Sequence, residues 1–418
     1  MSELKKFEYT MGSCNHCGQC KWLLPGRMHG WDFAEICPIH AYYGFDAYSG
    51  QGQLNIAREI MEGKLAHSEG LAKLLHACTA CGACDVNCKS VRDMEVLETI
   101  FELRLDCAEA GFAPEAVRAA AERVKTTHNR CGLPHEDRFA WVPADYEDDP
   151  EAEVGLFAGC SVYRHPETAL AAMKLLQAGG VRFRLLRDEW CCGLALWQGG
   201  LREEAEACVR HNIEMIRAAG VKTVVTACAE CFGSFRAVYP RYGELPFEVK
   251  HISETAAELL REGKLRLRPL DKPLTVTYHD PCMLGRRSEP YVPWEGEIRS
   301  WGLHVPEKHW NRGEYGIYEP PREALRAIPG LTLREMPRSM EEAWCCGAHA
   351  GETDPELAAF AAAERRREAA STGAEAIVSA CPACREALSA DGEGALPYYD
   401  LTELLAGQLD AGRKEGEA

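Results

Sequence analysis

The chain has 418 residues, 46% hydrophobic and 27% charged, a composition that excludes bulk disorder and at this length implies two to three domains. Its 47 Lys and Arg against 64 Asp and Glu leave a net charge of −17, which disfavours nucleic acid, because that partner must have its phosphates neutralised. The start, MSELKKFEYTMGSC, lacks the apolar core of a signal peptide, and no run of 18 apolar residues occurs. A cytoplasmic chain without a membrane span is therefore expected, one that reaches a membrane only through a partner. In a reducing compartment its 21 cysteines, clustered as they are, point to metal and not to disulfides.

Residues 1–145 are expected to form a helical domain, with stretches such as Met94–Ala110. Cys14, Cys17 and Cys20 make a C-x2-C-x2-C run, and Cys37 is followed by Pro38. Cys78, Cys81, Cys84 and Cys88 follow as C-x2-C-x2-C-x3-C. Three thiolates at that spacing wrap one face of a cubane, and in two-cluster ferredoxins the fourth cysteine of each run serves the other cluster. Cys14, Cys17, Cys20 and Cys88 are therefore assigned to one 4Fe–4S cubane, and Cys78, Cys81, Cys84 and Cys37 to a second. Zinc sites favour paired C-x2-C spacings, not two tight triplets. Two departures bear on the fourth ligands and not on the triplets. A spacer of 16 residues separates Cys20 from Cys37 where three are usual, and Lys89 instead of proline follows Cys88. His16, inside the first triplet, is expected to be a loop residue that tunes solvent access.

An acidic, proline-bearing stretch, Pro143–Glu153, has the composition of a linker. Beyond it Glu153–Cys160, Val181–Leu186 and Val221–Cys228 are predicted strands, and Pro166–Ala178, Leu201–Ala219 and Ala229–Tyr239 predicted helices. Such alternation predicts α/β units around a mostly parallel sheet. The pattern recurs with strands at Leu274–Cys282, Leu331–Met336 and Ala374–Cys381. The cysteines repeat with it: Cys160, Cys191, Cys192, Cys228 and Cys231 correspond to Cys282, Cys345, Cys346, Cys381 and Cys384. The expected domains are thus 1–145, 153–270 and 271–409. The offset between equivalent cysteines is 122 for the first and 153 or 154 for the others. An insertion must therefore lie between Cys282 and Cys345, assigned to Ser288–Tyr318, with Trp294, Trp301 and Trp310. Its expected roles are a lid on the site, a partner surface or packing within its own domain. The tail after Leu409 is expected to fray.

Each repeat offers a cysteine, then C-C-G, then C-x2-C, and every one of these positions ends a predicted strand or opens the turn after it. Ligands of open α/β sheets gather outside the carboxyl ends of the strands, so the five thiols of a repeat can converge on one point. Gly193 and Gly347 let backbone approach closely there. These residues resemble the CCG-domain family, specifically its heterodisulfide reductase D-type subunits. The resemblance covers nearly the whole chain. It includes both N-terminal motifs, the segment Asn129…Gly132…Pro134…Arg138…Trp141 and Tyr278-His279-Asp280-Pro281-Cys282. Pro321-Arg322, Ile328-Pro329-Gly330 and Trp344-Cys345-Cys346-Gly347-Ala348 complete it. It implies that each repeat holds a noncubane 4Fe–4S cluster on five cysteines, the two facing each other across a disulfide site and fed through the two cubanes. Met283 stands where a histidine often follows D-P-C, and His349-Ala350 where Gly-Gly is usual. Larger side chains there would alter the cavity near the second cluster.

On this resemblance the expected function is that of a catalytic iron–sulfur subunit that reduces a disulfide or oxidises thiols. The alternative is an electron relay without its own substrate, in a quinone-linked dehydrogenase or class II benzoyl-CoA reductase complex. No G-x-G-x-x-G or G-x-x-x-x-G-K occurs, so the chain shows no flavin or nicotinamide fingerprint. Electrons must then arrive from, or leave to, another subunit: a flavoprotein, a cytochrome b or an acyl-CoA reductase. His279 and His349, close in sequence to Cys282 and Cys346, are candidates for proton delivery. The competing reading is that both only hydrogen-bond sulfur or backbone. Three cysteines remain: Cys107, Cys131, a candidate substitute ligand, and Cys208, read as core.

Overall fold

The computed structural model describes residues 3–90, 92–290, 292, 294–389 and 395–410. Its N-terminal part is helical. Helices Gly50–Met61, Glu69–Ala77 and Val96–Glu109 enclose a core of Leu54, Ala57, Leu75, Ile100 and Leu103. The Ser49 and Ser68 hydroxyls accept from Gly52 N (3.3 Å) and Leu71 N (3.2 Å), satisfying the first amides of two of these helices. The helix predicted at Met94–Ala110 is thus observed, two residues later and one residue shorter at its end.

Two parallel sheets follow. Val154–Phe157 (β1), Phe183–Leu185 (β2), Thr223–Thr226 (β3) and Glu248–His251 (β4) form the first, in the order β2-β1-β3-β4. Val154 lies opposite Phe183 on one side and Thr223 on the other. After Leu274–Tyr278 (β5) comes a small antiparallel hairpin, Glu297–Arg299 (β6) and Leu303–Val305 (β7). Leu331–Arg334 (β8), Ala376–Ser379 (β9) and Tyr398–Asp400 (β10) complete the second sheet, in the order β10-β9-β5-β8. Laying β5 on β1, β8 on β2, β9 on β3 and β10 on β4 makes the two orders identical. The duplication seen in the cysteines is a duplication of fold.

The central strands carry continuous β-branched runs, Val224-Val225 and Ile377-Val378, as sheets covered on both faces require. Several strands are shorter than predicted. Strand β1 stops at Phe157 because Gly159 turns the chain with φ of 78°, and β5 stops at Tyr278 before Pro281, which has no ladder N–H. The fourth strands, β4 and β10, were not foreseen. Each is short and runs straight into a capped helix, Ile252–Arg261 or Leu401–Gly407.

The repeats pack by exchanging equivalent helices. Pro166–Ala178, after β1, lies on Leu401–Gly407, after β10, with Thr168 donating to Glu403 at 2.6 Å. Ile252–Arg261, after β4, lies on Glu319–Arg326, which precedes β8, with Arg261 paired to Glu323 at 3.3 Å. One apolar core runs through both repeats and includes Phe157, Phe232, Val276 and Ile377. Such an arrangement is close to two-fold and brings the cysteine-bearing strand ends toward each other.

The stretch 143–153 is pinned to the first sheet. Tyr146 stacks on Phe183, and Asp148 accepts from Leu185 N at 2.7 Å. The insertion docks on the helical domain: Lys308 pairs with Asp93 at 2.9 Å and with Glu95, and Gly302 packs against the Tyr9 hydroxyl. No described residue of 288–318 lines the cavity between the repeats, so the lid role is not seen. Of the tail, Asp410 N donates to Arg266 O at 2.9 Å, and residues 411–418 lie outside the described part.

Candidate functional site

Cys14, Cys17, Cys20 and Cys88 line one cavity of the helical domain, and Cys37, Cys78, Cys81 and Cys84 line another. The first run occupies the loop after helix Glu8–Ser13, whereas Cys84 and Cys88 both sit on helix Ala83–Lys89, about one turn apart. That single helix contributes to both groups. Gly50 separates them: a Cβ there would lie 3.1 Å from Cys20 Cβ and 3.3 Å from Cys84 Cβ. Main-chain amides point at sulfur, Gln51 N at Cys20 Sγ (3.4 Å) and Ala80 N at Cys78 Sγ (3.4 Å). Cys17 is exposed, while Cys20, Cys37 and Cys81 are buried. His16 faces outward and bonds Asn55 at 3.1 Å.

In the first repeat, Cys160 follows β1, Cys191 and Cys192 follow β2, Cys228 follows β3 and Cys231 lies in helix Ala229–Ala237. All five line a cavity of about 540 Å³. The S–H groups of Cys191 and Cys231 draw Cys192 down to about 6, against the effect of burial. Gly193 has φ of 76°, and a Cβ on it would lie 3.2 Å from Ala205 O, so the Cys191–Cys192 turn sits tightly on helix Arg202–Ala218. Arg138 Nη2 reaches Cys160 Sγ at 3.8 Å and its Nη1 pairs with Glu189 at 2.7 Å. Glu189 in turn accepts from Ala158 N (2.8 Å) and Gly159 N (2.7 Å), holding the turn that presents Cys160.

In the second repeat, Cys282, Cys345, Cys346, Cys381 and Cys384 line a separate small cavity together with Met283 and His349. The neighbouring Cys345 and Cys384 thiols and the nearby His279 ring hold Cys346 well below the ordinary thiol range, although burial opposes this. Asp280 takes the place of Glu189: Arg322 grips it at 2.7 and 2.9 Å, and it accepts from Met340 N at 2.9 Å. A Cβ on Gly347, with φ of 87°, would lie 2.7 Å from Ala358 O. This set also meets the helical domain. Cys345 and Cys81 pack in one buried cluster with Leu23, Ile36 and Ala83, and Arg286 donates to Cys81 O and Ala343 O, both at 2.6 Å.

The two histidines occupy different settings. His279 is buried; Arg365 Nε donates to its Nδ1 at 2.9 Å, its ring lies within 4.8 Å of the Cys346 and Cys384 sulfurs, Nε2 has no hydrogen-bond partner, and burial lowers its pKa. His349 lines the large cavity, bonded to Glu230 at 2.6 Å, and Glu230 raises its pKa in spite of burial. Glu230 also pairs with Arg130 at 3.0 Å and is held at about 2 against burial, chiefly by that guanidinium. Glu230, Arg130, Glu189 and Arg365 were missed in the sequence. One signal was present: Glu230 lies inside Cys228-Ala229-Glu230-Cys231, where the other repeat has Cys381-Pro382-Ala383-Cys384. Among the remaining cysteines, Cys131 lines the large cavity and donates to Cys160 O at 3.6 Å; Cys107 and Cys208 are core.

These donors fit iron–sulfur ligation. Eighteen free thiols converge in groups of four, four, five and five, mostly buried, with amide and guanidinium donors aimed at sulfur. So many buried sulfurs, whose ligating form is the thiolate, require cationic compensation. Comparison with known proteins agrees. Residues 10–91 match the 4Fe–4S dicluster domain, and residues 154–236 and 304–389 match the cysteine-rich CCG domain. The chain is 34% identical to the D-type subunit of the dihydromethanophenazine:CoB–CoM heterodisulfide reductase of Methanosarcina acetivorans, over 92% of this chain and 90% of that one. It is 26% identical to the B-type subunit of the fumarate reductase (CoM/CoB) of Methanothermobacter marburgensis, over 80% of this chain and 62% of that one. With the EtfAB:quinone oxidoreductase of Syntrophomonas wolfei it shares 27% identity, over 82% of this chain and 48% of that one. No helix among the described residues is long and apolar enough to cross a membrane. The chain is an iron–sulfur, CCG-domain oxidoreductase and belongs to the family of heterodisulfide reductase D-type subunits.

Proposed function

We propose that the chain accepts electrons from a partner subunit at its N-terminal sites and delivers them to the paired five-cysteine sets, where a disulfide is reduced to two thiols or thiols are oxidised. Two cubane 4Fe–4S clusters on the N-terminal groups and two noncubane 4Fe–4S clusters on the five-cysteine sets would supply the one-electron steps and the iron that binds sulfur. The observation that carries this reading is the packing of Cys81 and Cys345 in one buried cluster. It closes a continuous series of sulfur donors from exposed Cys17, across Gly50, to the second set, and from there to the cavity.

The chain's own groups serve the rest of the chemistry. Opening a disulfide consumes two electrons and two protons. His349, protonated through Glu230 and facing the cavity, is the proton donor of this proposal. His279 has the other role: with Arg365 on Nδ1, the buried ring stands beside Cys346 and tunes that sulfur. Arg138 does the same for Cys160. Related chains that bear fumarate reductase and quinone oxidoreductase names favour a second reading, a relay that hands electrons to a flavoprotein, cytochrome b or acyl-CoA reductase subunit. The two separate when the isolated, reduced protein is offered simple disulfides and heterodisulfides. Thiol release with a substrate-dependent paramagnetic signal supports catalysis. Neither would leave the relay.

A further inference from the structure

Three arginines beside the inner N-terminal group, Cys37, Cys78, Cys81 and Cys84, are buried without a carboxylate. Arg104, Arg286 and Arg287 are 4%, 5% and 9% exposed. Arg104 donates to Leu75 O, Cys78 O and Gln198 O, and Arg286 to Cys81 O, Glu341 O and Ala343 O. Arg287 lies over the Phe101 ring, its stem so close to Gly82 that a Cβ there would meet it at 3.1 Å. Its Nη1 is buried and has no hydrogen-bond partner. Glu98, whose charge reaches Arg287, is already gripped by Arg241 through two bonds of 2.8 Å. None of the three arginines forms an ion pair among the described residues.

Carbonyl oxygens satisfy the N–H groups of a guanidinium but leave its charge. Burying such a cation without a counter-charge is costly, so three together call for an anion between them. The cysteines are what they have in common. Arg104 bonds the Cys78 carbonyl, Arg286 the Cys81 carbonyl, and Arg287 packs on the glycine between Cys81 and Cys84. Burial pushes the Cys78 thiol up, and Arg104 and Arg287 oppose it.

The outer group, Cys14, Cys17, Cys20 and Cys88, has no such setting. The cation that lines its cavity, Arg92, is exposed. The charges beside Cys88 pair with one another: Lys89 with Asp85 (3.3 Å) and Glu95 (2.8 Å), Lys308 with Asp93 (2.9 Å) and Glu95. Lys21, next to Cys20, pairs with Asp46 at 2.8 Å. Each group has an amide on one sulfur, Gln51 N on Cys20 and Ala80 N on Cys78, so those bonds do not separate them.

We propose that Arg104, Arg286 and Arg287 are the counter-cations of the inner group and make it the more readily reduced of the two N-terminal groups. This rests on the reading of both groups as 4Fe–4S sites. A cluster on four thiolates is an anion, and reduction adds one more negative charge. Burial opposes that charge, but the same low dielectric strengthens its attraction to three cations held beside it. One electron then leaves the outer group, which is oxidised, and the inner group is reduced, with no bond or proton changing hands. It comes to rest against the second five-cysteine set, where Arg286 joins Cys81 O to Ala343 O.

The test is a redox titration of the anaerobic holoprotein, read by EPR with and without a neutral dysprosium chelate, which broadens only signals near solvent. The N-terminal signal that appears at the higher potential is expected to be unaffected by dysprosium, and the one at the lower potential to be broadened. In Arg287→Gln the higher midpoint should fall, with the lower one and the iron content unchanged, and Arg287→Lys should keep it. A broadened high-potential signal would overturn the proposal, as would an unmoved higher midpoint in Arg287→Gln at full iron. If Arg287→Gln loses iron, the dysprosium result on the unaltered protein decides. Either failure leaves two N-terminal clusters in place. A single N-terminal signal at every potential would instead overturn the two-cluster reading and this proposal together.

Discussion

Buried carboxylates hold the turns that present the cysteines, and they do so by the same device in both repeats. Glu189 accepts the Ala158 and Gly159 amides beside the end of β1, Asp280, just after β5, accepts the Met340 amide, and each is neutralised by a fully buried arginine, Arg138 or Arg322. Removing one partner of such a pair leaves a buried charge uncompensated, which costs about 3–5 kcal/mol. Arg138→Met is therefore expected to lower stability by that amount in chemical denaturation and to loosen Cys160; an unchanged midpoint would count against it. Glu230 raises the pKa of His349, so the protonated ring persists above its ordinary range near 6.5. Activity that needs this proton should be full at lower pH and decline as pH rises through the raised value. In Glu230→Gln the decline moves to lower pH, which a pH–rate profile would show. At this scale the cysteines were legible because chemistry fixes their spacing. Their supports were not, since Glu189, Glu230 and Arg365 reach the site only through the fold.

Helix Ala83–Lys89 and the start of helix Gly50–Met61 set how close the two N-terminal groups lie. Gly50 has ordinary helical geometry, and its lack of a side chain is what lets Cys20 and Cys84 approach it. Gly50→Val places two methyls in that gap. Bound iron should then fall from about 16 toward about 8 per chain as both N-terminal groups are displaced. Full iron with an unaltered spectrum would show that the gap is slack. The long helices and the three cysteine-bearing strands of each repeat were legible from periodicity. Strands β4 and β10 were not: four and three residues long, one of them Glu-Val-Lys-His, they carry no alternating apolar signal. Strand ends were overrun where Gly159 and Pro281 break the ladder.

Across the whole molecule, a duplicated α/β pair is fastened to a helical domain by arginines that bond backbone. Arg104 joins Leu75 O and Cys78 O to Gln198 O of the first repeat, and Arg338 of the second reaches Glu35 O at 2.7 Å. These ties keep the second N-terminal group against the second five-cysteine set. The duplication and the insertion between Cys282 and Cys345 were legible as offsets between cysteines. The exchange of helices between repeats and the docking of the insertion on the helical domain were not, because neither leaves a local pattern. The central claim is that eighteen cysteines build four tetranuclear sites in one chain. Iron analysis of anaerobically purified protein tests it most directly: about 16 iron per chain is predicted, and about 8, which would leave only the N-terminal groups filled, would contradict it.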